Sequence, residues 1–201
     1  MSVHDVVIVA NGGANTASLQ FALQRLGARS EVSADPARIR GATHVILPGV
    51  GAAADAMSRL RRGSLDELIP SLPQPVLGIC LGMQLLHAAS DEGDTTCLGV
   101  LPGRARRLEA AERRPVPHMG WNTLEGRRES PLLEGIAEGA YAYFVHSYAL
   151  DPGGATLART RYGAEFSACV GWRNFYGTQF HPERSAGVGA RLLGNFLALG
   201  G

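Results

Sequence analysis

Short apolar runs alternate with segments of helical pattern over the N-terminal part of the chain. The runs lie at 5–10, 43–47 and 75–79, and a turn-forming glycine or proline follows each within three residues. Strands that are covered by helices on both faces read as continuous apolar runs, so the pattern predicts a parallel sheet between two helical layers. The helices expected here cover about 16–26, 52–70 and 81–89.

After about residue 95 the pattern changes to short β-like runs separated by turns. They lie at 97–101, 104–109, 140–145, 155–161, 166–171 and 175–180. We expect antiparallel strands that continue the same sheet, followed by an amphipathic helix over about 187–199. The resulting prediction is an α/β three-layer sandwich with a mainly parallel central sheet and an antiparallel extension, in one domain covering residues 1–201.

Composition narrows the classes of function. Hydrophobic residues make up 45% of the chain and charged residues 18%, as in compact globular proteins. The net charge of +1 gives no reason to expect a nucleic-acid partner, and no apolar run approaches the roughly 20 residues that span a bilayer. The N-terminus lacks the basic start of a signal peptide, and three widely spaced cysteines do not indicate a disulfide framework. We therefore expect a cytoplasmic protein without a membrane partner.

Lysine is absent, because all nineteen residues counted as Lys or Arg are arginines. Schiff-base lysine chemistry, Ser–Lys dyads and the P-loop lysine are therefore excluded. No His-x-x-x-His or Cys-x-x-Cys spacing indicates a metal site. We therefore expect no metal site.

The segment Gly78-Ile79-Cys80-Leu81-Gly82 stands where a predicted buried strand gives way to a predicted helix. This is the glycine–x–nucleophile–x–glycine pattern of a nucleophile elbow, with cysteine as the nucleophile. The glycines are needed because side chains two residues before and after would collide in so tight a turn. A helix that begins here stabilises a thiolate, and the N–H of Leu81 is placed to donate to an oxyanion. Without flanking glycines we expect a buried, inert cysteine, as at Cys169.

A base and its orienting carboxylate are indicated by Phe180-His181-Pro182-Glu183, which ends the last β-like run. Catalytic groups gather at the C-terminal ends of strands in α/β sheets, where His181 is expected. Glu183 is close enough along the chain to accept a hydrogen bond from the imidazole and fix its tautomer. His118 and His146, which also lie in β-loop contexts, remain competing candidates for the base.

Residues 75–86 and 177–183 resemble the class I, triad-type glutamine amidotransferases. The resemblance implies that Cys80, His181 and Glu183 form a triad that hydrolyses glutamine to glutamate and ammonia. In this family the reaction passes through a glutamyl thioester, needs no cofactor and supplies ammonia to a synthase partner.

Segments 48–51, 117–122 and 143–148 are similar to the glutaminase subunits of imidazole glycerol phosphate synthases within that family. The similarity implies a heterodimer with a TIM-barrel cyclase, which makes imidazole glycerol phosphate and AICAR in histidine biosynthesis. The nearest alternative is a glutaminase that serves anthranilate, aminodeoxychorismate or pyridoxal phosphate synthesis. The alternative from another class is a redox module in which Cys80 senses peroxide.

The resemblance also implies further site residues. Oxyanion stabilisation is expected from Gly49, Val50 and Leu81. Glutamine binding is expected from Gln84, Glu92, His146, Ser147, Tyr148 and Gly51. Contact with the partner is expected from Trp121, Asn122, Asn15 and Arg184.

Two positions depart from the family pattern. The first loop reads Asn11-Gly12-Gly13-Ala14-Asn15, where the family usually has an Asp-Tyr-Gly-like start. Arg184 stands where a lysine is expected. A guanidinium and an ammonium are not interchangeable at a tight interface. We expect Arg184 to bond to a carboxylate or carbonyl group of the partner.

Overall fold

The computed structural model describes residues 4–12 and 16–200. In chain order, the strands of these residues are β1 (Asp5–Val9), β2 (Arg29–Ser33), β3 (His44–Leu47), β4 (Val76–Ile79), β5 (His87–Ser90), β6 (Thr95–Thr96), β7 (Leu101–Arg107), β8 (His118–Thr123), β9 (Tyr141–His146), β10 (Tyr148–Leu150), β11 (Thr156–Tyr162), β12 (Ala164–Trp172) and β13 (Phe175–Thr178). The helices are α1 (Thr16–Arg25), α2 (Pro36–Gly41), α3 (Ala53–Arg62), α4 (Leu65–Leu68), α5 (Leu81–Leu85) and α6 (Ala186–Leu197).

The main sheet of the described residues has the strand order β11-β12-β13-β4-β3-β1-β2. Strands β2, β1, β3, β4 and β13 are parallel to one another, and β12 and β11 extend the sheet in antiparallel fashion. The prediction of a mainly parallel sheet with an antiparallel extension is confirmed. Because Ile79 of β4 pairs with Thr178 of β13, the residues that follow these two strands meet at one edge of the sheet.

Alternate residues of the buried strands face two separate apolar cores. In β1, Val6 and Ile8 join one core, whereas Val7 and Val9 join the other. The first core contains side chains of α1, α6 and β9, and the second contains side chains of α3, α4, α5 and β7. Burial on both faces is the reason why these strands read as unbroken apolar runs in the sequence.

Two helices are shorter than predicted. Helix α5 ends at Leu85, and residues 87–89, expected to be helical, belong to β5. The carbonyl of Leu86 accepts a hydrogen bond of 3.0 Å from the N–H of Leu101, so it does not continue the helical ladder. The long helix predicted before β4 is divided into α3 and α4, because Ser64 between them has a left-handed φ of 52°.

Part of the β-rich second half lies outside the main sheet, contrary to prediction. Strands β10, β7, β5 and β6 form a separate sheet, and β8 and β9 form a two-stranded ribbon. Strand β7 pairs with β5. Because β5 stands where the second half of a helix was predicted, the sequence pattern gave no sign of this pairing. Strand β13, predicted as antiparallel, lies parallel to β4. Within the described ranges, no helix has the length and apolarity needed to cross a bilayer.

Helix α6 packs closely against the single-turn 3-10 helix Pro182–Arg184. A Cβ added at Gly189 would lie 1.8 Å from the carbonyl oxygen of Pro182. A Cβ added at Gly194, on the same helix, would meet nothing within 4 Å. The absence of a side chain at Gly189 therefore allows the close approach of the helix to this turn.

We expect Gly189→Ala to lower the free energy of unfolding by about 1–3 kcal/mol, the usual cost of overpacking. Gly194→Ala should leave it unchanged or raise it by up to about 1 kcal/mol, because alanine favours a helix interior over glycine. Urea denaturation of the two variants measures the difference. Equal stabilities would contradict the role given to Gly189.

Candidate active site

Cys80 occupies a strained turn between β4 and α5. Its φ of 54° and ψ of −110° are uncommon for a residue other than glycine. A Cβ at Gly82 would lie 1.8 Å from the carbonyl oxygen of Leu47. A Cβ at Gly78 would lie 2.7 Å from the backbone of Gly82. These contacts are the physical reason for the Gly-x-Cys-x-Gly pattern, and the turn has the strand-to-helix geometry expected of an elbow.

The sulfur of Cys80 lies among hydrogen-bonding groups. It is 3.5 Å from the carbonyl oxygen of Val145 and 3.6 Å from Nε2 of Gln179. A thiol can donate to Val145, whereas a thiolate accepts from the amide of Gln179. Helix α5 has only five residues, so its dipole supports the thiolate less than a full-length helix would. The donor of Gln179 adds to that weaker support.

Gln179 was not among the predicted site residues. It is fully buried, and its Oε1 accepts a hydrogen bond of 3.0 Å from Nε2 of Gln84. That bond orients the Gln179 amide so that its nitrogen points to Cys80. The signal in the sequence was spacing, since Gln179 precedes His181 by two residues and such side chains share a side of an extended chain.

His181 follows β13, and Glu183 lies in the turn after it. Nδ1 of His181 is 2.9 Å from Oε1 of Glu183, and the two side chains are only 13% and 11% exposed. The main-chain N–H of His181 donates to the carbonyl of Tyr143 at 2.9 Å. The carbonyl of His181 accepts from Oγ of Ser185 at 2.7 Å. Main-chain and side-chain bonds together fix the position of the imidazole.

The pKa of His181 is raised to about 10. Burial of the ring is the largest influence and lowers the pKa, but hydrogen bonds and charges at Cys80 and Glu183 together outweigh it. The imidazolium is therefore the favoured form of His181 in the fold. It donates from Nδ1 to Glu183, and interaction with Cys80 also favours it.

A cavity of about 230 Å³ opens beside the sulfur of Cys80. It brings together every residue predicted to bind glutamine: Gln84, Glu92, His146, Ser147, Tyr148 and Gly51. The predicted oxyanion residues Gly49, Val50 and Leu81 line the same cavity. Residues far apart in the sequence thus meet in one pocket, as the resemblance implied.

Several polar groups of this pocket are engaged in holding its wall. Nε2 of Gln84 donates to the carbonyl of Tyr148 at 2.8 Å. Oε2 of Glu92 accepts from the N–H of Ala53, at the start of α3, at 2.8 Å. Nδ1 of His146 lies 2.9 Å from the carbonyl oxygen of Tyr148. These contacts give the pocket a defined shape before any ligand binds.

A second, larger cavity of about 510 Å³ is also lined by His181. Its lining includes Glu183 and Arg184. In the described part of the chain, four residues line both cavities and form a shared wall between them: Gly49, Val50, Val145 and His181.

The β8–β9 ribbon has an exposed apolar face beside Arg184. Met119, Trp121 and Tyr141 on this face are 63%, 52% and 60% exposed. The guanidinium of Arg184 lies 4.4 Å from the ring centre of Tyr143, on the same face. Of the four residues predicted to meet a partner, Trp121 and Arg184 lie here, and Asn15 is outside the described residues.

Asn122 points to the opposite face of the ribbon from Trp121, since successive strand residues alternate. Its Nδ2 donates to the carbonyl of Arg161 at 3.1 Å and lies 3.3 Å from Nε2 of His118. Its Oδ1 accepts from the N–H of Thr123 at 2.8 Å. The contact of Asn122 with a partner stays a prediction, and its geometry favours a role inside the molecule.

We expect Glu183→Gln to lower the pKa of His181, because the variant removes a charge that favours the imidazolium. The ordinary pKa of histidine is 6.5, and the pKa of His181 in the fold is about 10. Protonated His181 therefore stabilises the fold fully below pH 6.5, and this stabilisation is lost as the pH rises towards 10. Relative to the wild type, Glu183→Gln should therefore have its free energy of unfolding lowered more at about pH 6 than at about pH 10.

An NMR titration of His181 and urea denaturation at both pH values measure these effects. Glu165→Gln is the matched control, since Glu165 forms exposed ion pairs with Arg159 and Arg161 and such pairs contribute little. An unchanged pKa of His181 in Glu183→Gln would show that the carboxylate does not support the imidazolium.

Residues 7–199 match the model of a family described as glutamine amidotransferase class-I. The chain is 52% identical over 195 residues to imidazole glycerol phosphate synthase subunit HisH of Xylella fastidiosa strain Temecula1, covering 97% of this chain and 98% of that protein. It is 49% identical over 212 residues to the subunit HisH of Shewanella oneidensis, with 97% and 96% covered.

Solved structures have the same fold. A crystal structure of a glutamine amidotransferase gives a TM-score of 0.75 at 22% identity, covering 96% of this chain and 97% of that chain. The structure of PurLQS from Thermotoga maritima gives 0.72 at 17% identity, covering 98% and 99%. The family match and the close relatives extend over nearly the whole chain, and the chain therefore belongs to the class I glutamine amidotransferases and, within them, to the HisH subunits of imidazole glycerol phosphate synthase.

Proposed function

We propose that this chain hydrolyses glutamine to glutamate and ammonia and delivers the ammonia to a TIM-barrel cyclase subunit in a cytoplasmic heterodimer. The cyclase then makes imidazole glycerol phosphate and AICAR in histidine biosynthesis. The observation that carries the proposal is the convergence of the Cys80 sulfur and the His181–Glu183 pair on the cavity of about 230 Å³. The relatives named as synthase subunits support the division of work between two chains.

The first half of the reaction forms a thioester. The thiolate of Cys80 attacks the side-chain carbonyl carbon of glutamine, and the carbonyl electrons move onto the oxygen. His181 passes its proton to the amide nitrogen, the C–N bond breaks, and ammonia leaves. The raised pKa of His181 supports this step, because the proton needed by the leaving group is in place before the attack.

The second half of the reaction regenerates the enzyme. Neutral His181 removes a proton from a water molecule, whose oxygen attacks the thioester carbonyl carbon. The C–S bond breaks, glutamate forms, and the thiolate of Cys80 is restored beside the imidazolium. Glu183 keeps Nδ1 protonated through both halves, so the proton is exchanged on the other ring nitrogen.

The N–H groups of Leu81 and Val50 are proposed to hold the oxyanion. Leu81 is the first residue of α5, so its N–H has no partner within the helix. Val50 lies between Gly49, where an added Cβ would be 2.7 Å from Cβ of Leu81, and Gly51, whose φ is +86°. A peptide between glycines turns at low steric cost. We propose that the N–H of Val50 turns towards the oxyanion when the cyclase and its ligand bind.

The remainder of the pocket is proposed to hold the amino-acid end of glutamine. Glu92 places negative charge in the lining, which complements the substrate ammonium group. Ser147 and Tyr148 also line the cavity, and we propose that their backbone contacts the substrate.

The exposed face of the β8–β9 ribbon is the proposed contact with the cyclase. Exposed aromatic residues with a neighbouring arginine are typical of the centres of protein interfaces, and Trp121, Tyr141 and Arg184 supply them here. The larger cavity is lined by Arg184 and shares a wall with the glutamine pocket. This adjacency supports a route for ammonia from the sulfur towards the partner.

The decisive experiment measures ammonia formation from glutamine with and without the cyclase and its nucleotide ligand. We expect low turnover of the isolated chain and a large rise in the loaded complex, because the oxyanion site is completed only there. Full activity of the chain alone would contradict the proposed turn of Val50.

Cys80→Ala should abolish ammonia formation while the complex still uses added ammonium salts. Cys97→Ala is the control, since Cys97 is a buried cysteine that does not line the cavity beside Cys80. A glutamine-analogue electrophile should label Cys80 alone, with protection by glutamine. Peroxide-sensitive Cys80 without such protection would favour the redox module instead.

We expect Arg184→Ala to weaken the complex by about tenfold, as for a central interface arginine. The matched control is Arg173→Ala, because Arg173 also lies against an exposed ring, that of Trp172, at 5.9 Å. Titration of each variant with the cyclase gives the dissociation constant. Unchanged affinity and unchanged stimulation in Arg184→Ala would remove Arg184 from the proposed interface.

A further inference from the structure

A buried pair of histidines connects the β8–β9 ribbon to the wall of the glutamine pocket. His118 and His146 lie directly opposite each other in the ribbon, and Nδ1 of His118 is 3.1 Å from Nε2 of His146. They are only 3% and 6% exposed. His146 lines the pocket, whereas His118 lies behind it. The reaction steps proposed for Cys80 use neither of these two imidazoles.

The contacts of the pair define which ring nitrogens carry hydrogen. Nδ1 of His146 faces the carbonyl oxygen of Tyr148 at 2.9 Å, and a carbonyl only accepts, so this nitrogen is protonated. In a neutral ring Nε2 of His146 is then an acceptor, and Nδ1 of His118 must donate to it. Nε2 of His118 is in turn an acceptor for Nδ2 of Asn122 at 3.3 Å.

The amide of Asn122 is oriented independently of the histidines. Its Oδ1 accepts from the N–H of Thr123, and its Nδ2 also donates to the carbonyl of Arg161. The donors therefore follow one another in a single direction, from Asn122 through His118 and His146 to the carbonyl of Tyr148. A proton added to either imidazole would set two N–H groups against each other. Burial lowers the pKa of His118 to about 4 and that of His146 to about 3, which agrees with two neutral rings.

Aromatic side chains hold the ring of His118 in place. Tyr162 and Phe144 stack against it with centroid distances of 4.1 and 5.1 Å and interplanar angles of 24°. Phe166 meets it edge-on at 5.9 Å. A ring packed against three aromatic rings keeps its nitrogens at fixed positions, which a directional series of hydrogen bonds requires.

The series of hydrogen bonds from Asn122 ends on a main-chain group of the pocket wall. The carbonyl of Tyr148 accepts from His146 and also from Nε2 of Gln84 at 2.8 Å. Gln84 bonds onward to Gln179, the neighbour of the sulfur. The backbone at Tyr148 is thus fixed by two donors, and only the one from His146 is connected to the ribbon.

We propose that His118 and His146 form a neutral hydrogen-bond relay that holds the Ser147–Tyr148 wall in the position that binds glutamine. Both are positioning residues, His118 through His146 and His146 through the Tyr148 carbonyl. The inference rests on the proposed function, because glutamine is the ligand whose binding it affects.

The first test is made on the full-length wild-type chain and needs no activity. Nitrogen NMR at about pH 7 should show both imidazoles neutral and protonated on Nδ1 alone, since neutral histidine carries one ring proton. A coupling between Nδ1 of His118 and Nε2 of His146 across the hydrogen bond should also be present. Protonation of His146 on Nε2, or the absence of the coupling, would overturn the relay.

The second test compares two variants that separate the relay from packing. His118→Phe keeps the stacked ring but removes both nitrogens, and His118→Asn loses the ring but keeps a donor near the place of Nδ1. For the complex with the cyclase, we expect His118→Phe to raise KM for glutamine about tenfold, the effect of one buried unpaired acceptor, with kcat nearly unchanged. His118→Asn should recover a large part of this loss.

Alkylation of Cys80 by iodoacetamide is the internal control, because the reagent needs the sulfur but not the Ser147–Tyr148 wall. Its rate should be the same in the wild type and both variants. A wild-type KM in His118→Phe, or a higher KM in His118→Asn than in His118→Phe, would overturn the proposal in favour of packing. Absence of glutamine hydrolysis in the wild-type complex would instead reject the proposed function, and the ring protonation measured by NMR would still decide whether the relay exists.

Discussion

The turn at Cys80 positions the groups of the candidate site. The chain passes from β4 into α5 with a left-handed φ, and the space on its inner side is filled by the backbones of Gly78, Gly82 and Leu47. The N–H of Cys80 donates to the carbonyl of Thr178 at 2.7 Å, which ties the turn to β13. Because the residues after β13 carry the amide and the imidazole that face the sulfur, the pairing of two parallel strands fixes the distances on which the chemistry depends. The strain of the turn is offset by this pairing and by the packing around it.

Buried histidines occupy two opposite electrostatic environments within a short distance of the sulfur. His181 has a carboxylate on one side and Cys80 on the other, and its pKa is raised. His118 and His146 have carbonyl, amide and aromatic neighbours, and burial lowers their pKa values. Burial penalises the charged form in all three, so the interactions of His181 with Cys80 and Glu183 decide the difference. The base chosen from sequence spacing is thus the histidine that the surroundings keep charged.

The sequence was sufficient for the parallel strands and the elbow, because these depend on local rules: apolar runs, glycine at crowded positions and strand-end location. For the pocket lining, the sequence was informative only through its resemblance to a known family. It was misleading where distant pairing overrode local pattern. Residues 87–89 were predicted to be helical but lie in β5, since the carbonyl of Leu86 accepts a hydrogen bond from Leu101, beyond them in the chain. Gln179 was missed for the same reason, because its importance arises from contacts with Gln84 and Cys80 that are remote in sequence. The face of Asn122 depended on strand parity within β8, which the sequence pattern did not predict as a strand.

The wall shared by the two cavities has a consequence for the order of events. Among the residues that the structure describes, Gly49, Val50, Val145 and His181 line both spaces. We propose His181 as the group from which the leaving nitrogen takes its proton. In the proposed reaction the small neutral product therefore forms at the partition itself, while the bulky charged product stays bonded to sulfur on the substrate side. In this proposed reaction, ammonia and glutamate leave the site by different routes and at different times. The next glutamine molecule then competes with glutamate alone for the pocket, because ammonia has already left before glutamate is released.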